Sequence, residues 1–378
     1  MGSRIVQLAN FYGENSGGLR TAVDTVGQGY LDAGLERVVV VPGAHDADDD
    51  SSAGRRITLH GRRLPGGGSY RVLTDLEAVR ACLRELAPDR IEVSDKLTLG
   101  PVGEWAAREG VPSVLWSHER IDAILSPRLP TGIPLRTVAK RWNRRLLRRF
   151  DTIVCSSAFA AEEYTSLGAT TVARVPLGVD LQLFHPDARG ALPVDCGPQP
   201  RLVFVGRLSK EKHPDVAIET LRLLRGAGVD AALWMVGDGP MRTRLEHLAD
   251  RLPVTFTRHV RERVGIAALI AQADVALSPC PYETFGLAVL EALACGTPVV
   301  VADRGATGEL LGGVTNEAGR AVAPDPASFA AAVSEVLAAP APSRRAAART
   351  RAETFPWSRT IRSMLRVHGL APAEGAAA

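Results

Sequence analysis

Cysteine is scarce in this 378-residue chain, and its five members, Cys82, Cys155, Cys196, Cys280 and Cys295, are odd in number and contain no C-x-x-C pair. That excludes a disulfide framework and a zinc ribbon, and it suits reduced thiols in a cytoplasmic protein. No window holds eighteen apolar residues, so no membrane-spanning helix is expected. The opening MGSRIVQLANFYG has no cationic start, apolar run or cleavage site of a secretory signal. Its first six residues have the form of a myristoylation start, but they are needed for a first strand, and the motif is weak. A dominant charge sign is also missing. Lys and Arg number 45 against 42 Asp and Glu, a net +3 that argues against a nucleic-acid binder and confines any basic surface to a local patch. Finally, there is no G-x-G-x-x-G and no G-x-x-x-x-G-K-[ST]. GQGYLD and GDGPMR each lack a third glycine, so dinucleotide oxidoreductases and P-loop NTPases lose their usual support.

What is present is hydrophobic sequence, 46% of the chain, arranged in short valine- and isoleucine-rich runs that alternate with helical patterns. Strands are expected at Ile5–Ala9, Val38–Val41, Arg90–Val93, Ser113–Ser117 and Thr152–Cys155, and again at Arg201–Val205, Ala232–Val236, Val254–Thr257, Val275–Ser278 and Pro298–Val301. Continuous apolar runs suit parallel strands covered on both faces. The repetition predicts an α/β fold of two Rossmann-like, doubly wound parallel-sheet domains facing across a cleft. Residues 1–184 form the first domain and 201–352 the second. The proline- and glycine-rich HPDARGALPVDCGPQP, 185–200, reads as a linker, and a frayed tail begins at Ala371.

Two stretches carry chemistry. In VFVGRLSKEKHPDVAIETL, residues 203–221, a strand ends at Gly206 and is followed by Arg207, Lys210 and Lys212 ahead of a helix starting near Asp215. Cations at the carboxyl end of a parallel strand, beside a helix N-terminus, suit a diphosphate, although a solvated basic loop would look the same. In PYETFGLAVLEALACGTPVVV, residues 281–301, Glu283 and Glu291 stand eight residues apart. A helix expected over Phe285–Cys295 puts them roughly 9–12 Å apart along its axis. One ligand reaches both only if it is elongated and polar at each end. A nucleotide sugar has that form, with hexose hydroxyls, a diphosphate and ribose hydroxyls in succession. The amides of Phe285, Gly286 and Leu287 would face the phosphates, and Gly286 would allow close backbone approach. An isolated glutamate pair would be read as chance.

The pair is not isolated. GRLSKEKHPD, MVGDGP, ADVALSP and ETFGLAVLEALACGTPVV, in that order, resemble the retaining glycosyltransferases of family 4, which have the two-domain GT-B fold. Nearly the whole chain is covered. NFYGENSGGLRTAVD, EVSDKLTL, WSHERID and VPLGVDLQLFHP look particularly like actinobacterial GDP-mannose-dependent phosphatidylinositol-mannoside mannosyltransferases. The resemblance implies roles residue by residue. Glu283 contacts the donor sugar, Glu291 holds the ribose, and Arg207 with Lys212 binds the diphosphate. Gly17 and Gly18 form a glycine loop near the phosphates and reacting centre, and His118 lies near the donor sugar. His259 and Val260 meet the base through their backbone, with Arg258 standing where the family has a small residue. The segment Trp357–His368, within a C-terminal helix over 353–370, is expected to pack back on the first domain as part of a hinge. Transfer would proceed by front-face attack, without an enzymic nucleophile, and the leaving phosphate would help deprotonate the acceptor.

A histidine after an apolar strand is often only structural, but His118 sits at a strand's carboxyl end and is followed by Glu119 and Arg120, which favours a cleft role. The run DADDD, Asp46–Asp50, could suggest a metal-binding D-x-D. It reads instead as a solvated loop, and no metal or other cofactor is expected, because Arg207, Lys212 and a helix terminus can neutralise a leaving diphosphate. In LRTVAKRWNRRLLRRF, residues 135–150, Lys140, Arg141, Arg144, Arg145, Arg148 and Arg149 share one half of a helical wheel and apolar residues the other. Such a helix is either a core helix with a solvated face or a contact for an anionic membrane. The latter would place the protein peripherally on the inner face of the plasma membrane, beside a glycolipid acceptor. Rival readings are a UDP- or ADP-sugar transferase acting on a soluble natural product, an epimerase or phosphorylase of the same fold, and a non-catalytic nucleotide-sugar-binding protein.

Overall fold

The computed structural model describes residues 2–13, 17–51, 53–63, 70–125, 135–188, 200–257, 263–312 and 317–370. The chain divides into two compact units. Met1–Leu177 with Trp357–Ala378 forms the first, and Gly178–Pro356 the second.

In the second unit the apolar runs build one wholly parallel sheet. Its strands lie in the order Val254–Thr257, Ala232–Val236, Arg201–Val205, Val275–Ser278, Val299–Ala302 and Gly319–Val322. The chain winds outward from Arg201–Val205 to one edge, then resumes on that strand's other side with Val275–Ser278. The winding reverses between these two strands, and the region beyond their carboxyl ends is the switch point at which open α/β sheets bind ligands. Alternation along the strands sends Leu202, Phe204, Leu233, Met235, Val275 and Leu277 into one core with Ile218, Leu221, Phe329 and Val333 of the covering helices Pro214–Gly226 and Pro326–Ala338. Each large side chain so buried contributes about 1.5–3 kcal/mol.

The main sheet of the first unit has eight strands, in the order Val172–Arg174, Thr152–Cys155, Ser113–Ser117, Arg90–Val93, Arg4–Leu8, Glu36–Gly43, Gly54–His60 and Ala47–Ser51. All pair in parallel except the last two, which are antiparallel. Ile91 and Val93 enter the core, so the residue between them faces the other side. That residue is Glu92, fully buried. It accepts from Gln7 Nε2 at 2.8 Å and the Tyr30 hydroxyl at 2.8 Å, and it lies 3.3 Å from His368 Nε2. These partners outweigh its burial and hold its carboxyl below the usual carboxylate range. The helix Trp357–Val367, which leads into His368, lies in this unit against the helix Gly18–Asp32, where Gly29 leaves room for Ile361.

The DADDD run is a strand and not a loop. Ala47–Ser51 forms an exposed sheet edge, and Asp48 takes both Nε (2.9 Å) and Nη2 (2.6 Å) of Arg55, while Asp49 pairs with Arg56 at 3.2 Å. The aspartates are thus matched to arginines across the strand pair and make an edge that resists further strand addition. Among the described residues no group of three or more His, Cys, Asp or Glu could hold a metal ion, and no helix is long and apolar enough to cross a membrane.

Candidate active site

Both loops at the reversal point of the second sheet carry residues that the sequence singles out. After Arg201–Val205 the chain passes Gly206 and the exposed Arg207, then makes a short 3-10 turn at Lys210–Lys212. This loop is pressed against its neighbour, Gly237–Asp238–Gly239. A Cβ on Gly237 would lie 2.0 Å from the Gly206 carbonyl oxygen, and one on Gly239 2.4 Å from that of Leu208. Leu208 N donates to Asp238 O at 3.0 Å and Met241 N to Leu208 O at 2.9 Å, so the two loops form one backbone-bonded layer. His213 adopts a left-handed conformation (φ 49°, ψ 45°) immediately before Pro214, where the helix Pro214–Gly226 begins without a side-chain cap.

The second loop follows Val275–Ser278. Cys280 Sγ contacts the Glu211 carbonyl at 3.1 Å, tying this loop to the first. Ala306 N donates to the Glu283 carbonyl at 2.8 Å, and Gly305 lies close behind, its φ of +91° open to glycine. The result brings Glu283 and Lys212 together, with Lys212 Nζ 2.5 Å from Glu283 Oε2. The helix starts at Leu287 and not at Phe285, because Gly286 takes a left-handed turn (φ 96°, ψ 61°) that breaks the helical path. Phe285 therefore lies outside the helix, buried edge-on to Phe355, while Leu287 supplies the first helical amide. Glu291 is one turn into the helix Leu287–Ala294, its side chain 16% exposed. Burial pushes its carboxyl up to about 7 against the pull of Arg263, whose Nη2 lies 2.9 Å from Oε1.

In the first unit Gly17 precedes the helix Gly18–Asp32, again without a side-chain cap, and nothing lies within 4 Å of where a Cβ on Gly17 would stand. Uncapped starts leave first-turn N–H groups for a ligand, but they occur elsewhere in this chain too. His118 follows the strand Ser113–Ser117. Its Nε2 is 3.1 Å from Ser94 Oγ, and its ring stacks at 4.8 Å on Trp116. Burial drives its pKa down to about 4, with Glu92 raising it and Lys96 lowering it further, so the ring is neutral at physiological pH. The following turn is anchored by Glu163, which accepts from Ile121 N at 2.6 Å and pairs with the buried Lys96 at 2.8 Å.

Known proteins resemble this chain in sequence and in fold. "Glycosyl transferases group 1" matches residues 199–339, and "Glycosyl transferase 4-like domain" matches 17–178. A Mycobacterium tuberculosis (strain ATCC 25177 / H37Ra) GDP-mannose-dependent alpha-(1-6)-phosphatidylinositol dimannoside mannosyltransferase is 45% identical over 97% of this chain and 96% of its own length. The chain belongs to the family 4 retaining glycosyltransferases. A GDP-mannose-dependent alpha-mannosyltransferase of Mycobacterium tuberculosis (strain CDC 1551 / Oshkosh) is 31% identical over 82% of each chain. Among solved structures, sucrose-phosphate synthase from Thermosynechococcus elongatus superposes with TM-score 0.78 at 24% identity over 97% of this chain and 98% of that one. Anabaena HepE, in complex with UDP and glucose, gives 0.72 at 16% over 97% and 99%. Both share the GT-B fold.

In this glycosyltransferase the expected base contacts, His259 and Val260, and Arg258, which stands in place of the family's small residue, lie outside the described residues. Arg263, Cys280 and Gly305 escaped the sequence reading. Each acts across the fold on a glutamate or loop distant in the chain, and only Gly305 carries a local signal, a glycine in the turn RGAT. The basic segment forms the helix Leu135–Leu147, with Ala139, Asn143 and Leu146 buried. Lys140, Arg141, Arg144, Arg145 and Arg148 are exposed, and among the described residues none has an ion-pair partner, whereas Arg149 is half-buried and bonded to Glu104 at 2.6 Å. Arg149 thus leaves the cationic face.

Proposed function

We propose that this glycosyltransferase moves mannose from GDP-mannose, with retention, to a phosphatidylinositol mannoside. The observation that carries the reading is the 45% identity over nearly the full length to a transferase named for that donor and acceptor. The second unit is assigned the donor. Arg207 and Lys212 take the diphosphate, with the amides of Phe285, Gly286 and Leu287 beside it. Glu283 takes the hexose and Glu291 the ribose. His118, being neutral, serves as a hydrogen-bonding group toward the hexose and not as a base; Gly17 and Gly18 offer backbone N–H groups near the reacting centre. Stabilising charge on the departing diphosphate is the main catalytic contribution, delivered by fixed cations and amides without a metal. The exposed cations of Leu135–Leu147 are assigned to an anionic membrane surface, each worth roughly 1 kcal/mol near it.

The test is transfer from a panel of GDP-, UDP- and ADP-sugars to phosphatidylinositol dimannoside in vesicles. GDP-mannose should support turnover, and nucleotide release should require acceptor. Turnover of a UDP-sugar onto a soluble acceptor instead would overturn the donor and acceptor assignments. Reversing Lys140, Arg141 and Arg144 to Glu should abolish vesicle binding while a water-soluble acceptor analogue is still mannosylated.

A further inference from the structure

The E-x7-E pattern accounts for Glu291 as a carboxylate but not for the guanidinium on it. Arg263 opens the helix Arg263–Gln272 and binds Oε1 of Glu291 through Nη2 at 2.9 Å. Among the described residues no group bonds to Oε2. Beneath, the guanidinium carbon lies 5.2 Å from the ring centroid of Phe184, which is 1% exposed. The arginine thus packs on a buried aromatic ring, which restrains it, and its bond to Oε1 restrains the carboxylate in turn. The Arg263 side chain is 41% exposed, so this pair stands at the rim of the buried helix and not within the core.

We propose that Arg263 is a positioning residue for the nucleoside end of the donor, holding one oxygen of Glu291 so that its other oxygen is turned to accept from the ribose hydroxyls. The inference rests on the assignment of Glu291 to the ribose. Its chemistry is simple. A ribose diol can donate two hydrogen bonds to one carboxylate, but a protonated carboxyl surrenders part of that acceptor capacity. Burial alone would leave Glu291 protonated at neutral pH, and Arg263 opposes this. The other charged or titratable groups near this helix leave Arg263 as the controlling partner. Cys295 follows the helix end, and burial pushes its thiol up to about 12. Arg345 and Arg349, on the neighbouring Ala341–Glu353, donate to the carbonyls of Ala271, Cys295 and Ala294. Glu309, on the short helix Thr307–Leu310, lies on the element after the next strand.

The experiment measures binding of GDP and of 2′,3′-dideoxy-GDP from pH 5.5 to 9.5 by calorimetry, in wild type, Arg263→Gln, Arg263→Lys and Glu291→Gln. Ribose is common to GDP, UDP and ADP, so the series runs equally with the UDP pair if the donor panel selects UDP. Wild type should favour the ribonucleotide by about 10–100-fold above pH 8, with preference fading as Glu291 protonates. In Arg263→Gln that fading should move up by about one pH unit or more, weakening GDP about 5–10-fold at pH 7. Arg263→Lys should restore most of it. In transfer assays the Arg263→Gln defect should fall on the donor KM. An Arg263→Gln profile that overlays wild type, or a lysine variant as impaired as glutamine, would overturn the role of Arg263 while leaving the ribose assignment standing. Undiminished ribose preference in Glu291→Gln would remove that assignment and the inference with it.

Discussion

Replacing Glu283 by Gln should strengthen nucleotide binding and destroy transfer at once. Lys212 Nζ lies 2.5 Å from Glu283 Oε2, with side chains 32% and 22% exposed. In the proposed complex the diphosphate claims Lys212, so GDP must compete with this carboxylate. With that exposure, solvent screening limits the pair to about 0.5–1 kcal/mol. GDP has no hexose for Glu283 to hold, so losing the carboxylate only removes a competitor, and GDP should bind about 2–5-fold tighter in Glu283→Gln. Lys212→Ala loses a charge-assisted bond of about 1.5–3 kcal/mol, weakening GDP roughly 10–100-fold. In the double variant the Glu283→Gln gain should largely vanish, because no pair remains to break. Calorimetric titration of GDP into the four proteins at fixed low salt measures the cycle, and raising the salt should shrink the gain. If Glu283→Gln weakened GDP as Lys212→Ala does, the carboxylate would be aiding the diphosphate, and the division of labour between the two residues would be wrong.

Three other outcomes follow from the geometry. His118 has its folded pKa depressed to about 4. Its stability contribution is therefore full above the ordinary histidine range near 6.5 and is lost as pH falls from there toward 4, so the decline in thermal midpoint over that window should flatten in His118→Asn. Gly286→Ala would place a Cβ 2.7 Å from Thr307 Cγ2 at a φ of 96°, costing about 2–4 kcal/mol from backbone strain and crowding together. Adding Thr307→Ser should recover part of it, read as a partial return of the thermal midpoint. Chelation with EDTA should leave the transfer rate within about twofold, since charge on the leaving group is assigned to Arg207, Lys212 and backbone amides; a loss restored by a divalent cation would refute that assignment.

Valine- and leucine-rich central strands were legible because they are buried on both faces. Arg90–Val93, Ser113–Ser117, Arg201–Val205 and Val275–Ser278 lie where the apolar runs put them. The edge strands were not. Ala47–Ser51 is three aspartates between small residues, and Gly54–His60 carries two adjacent arginines, because an edge needs charge and its ladder is set by a partner and not by its own pattern. The two glutamates were legible from their spacing, but their partners were not. Lys212 reaches Glu283 across 71 residues and Arg263 reaches Glu291 across 28, and no local rule links residues brought together by a parallel sheet. The helix start was misplaced by two residues because an apolar run continues through Gly286, and only its left-handed φ ends the helical path.

The Glu92 cluster has a consequence for anyone shortening this protein. A chain cut after Leu365 would keep nearly all of its last helix yet strip His368 from a carboxylate that has no access to water. Left with only Gln7 and Tyr30, the carboxylate would be driven to take up a proton or admit solvent beneath the sheet, so a loss of thirteen residues at the far end would be felt at the centre of the first unit. Affinity handles and fusion partners therefore belong after residue 370, leaving Trp357–Val367 and His368 in place.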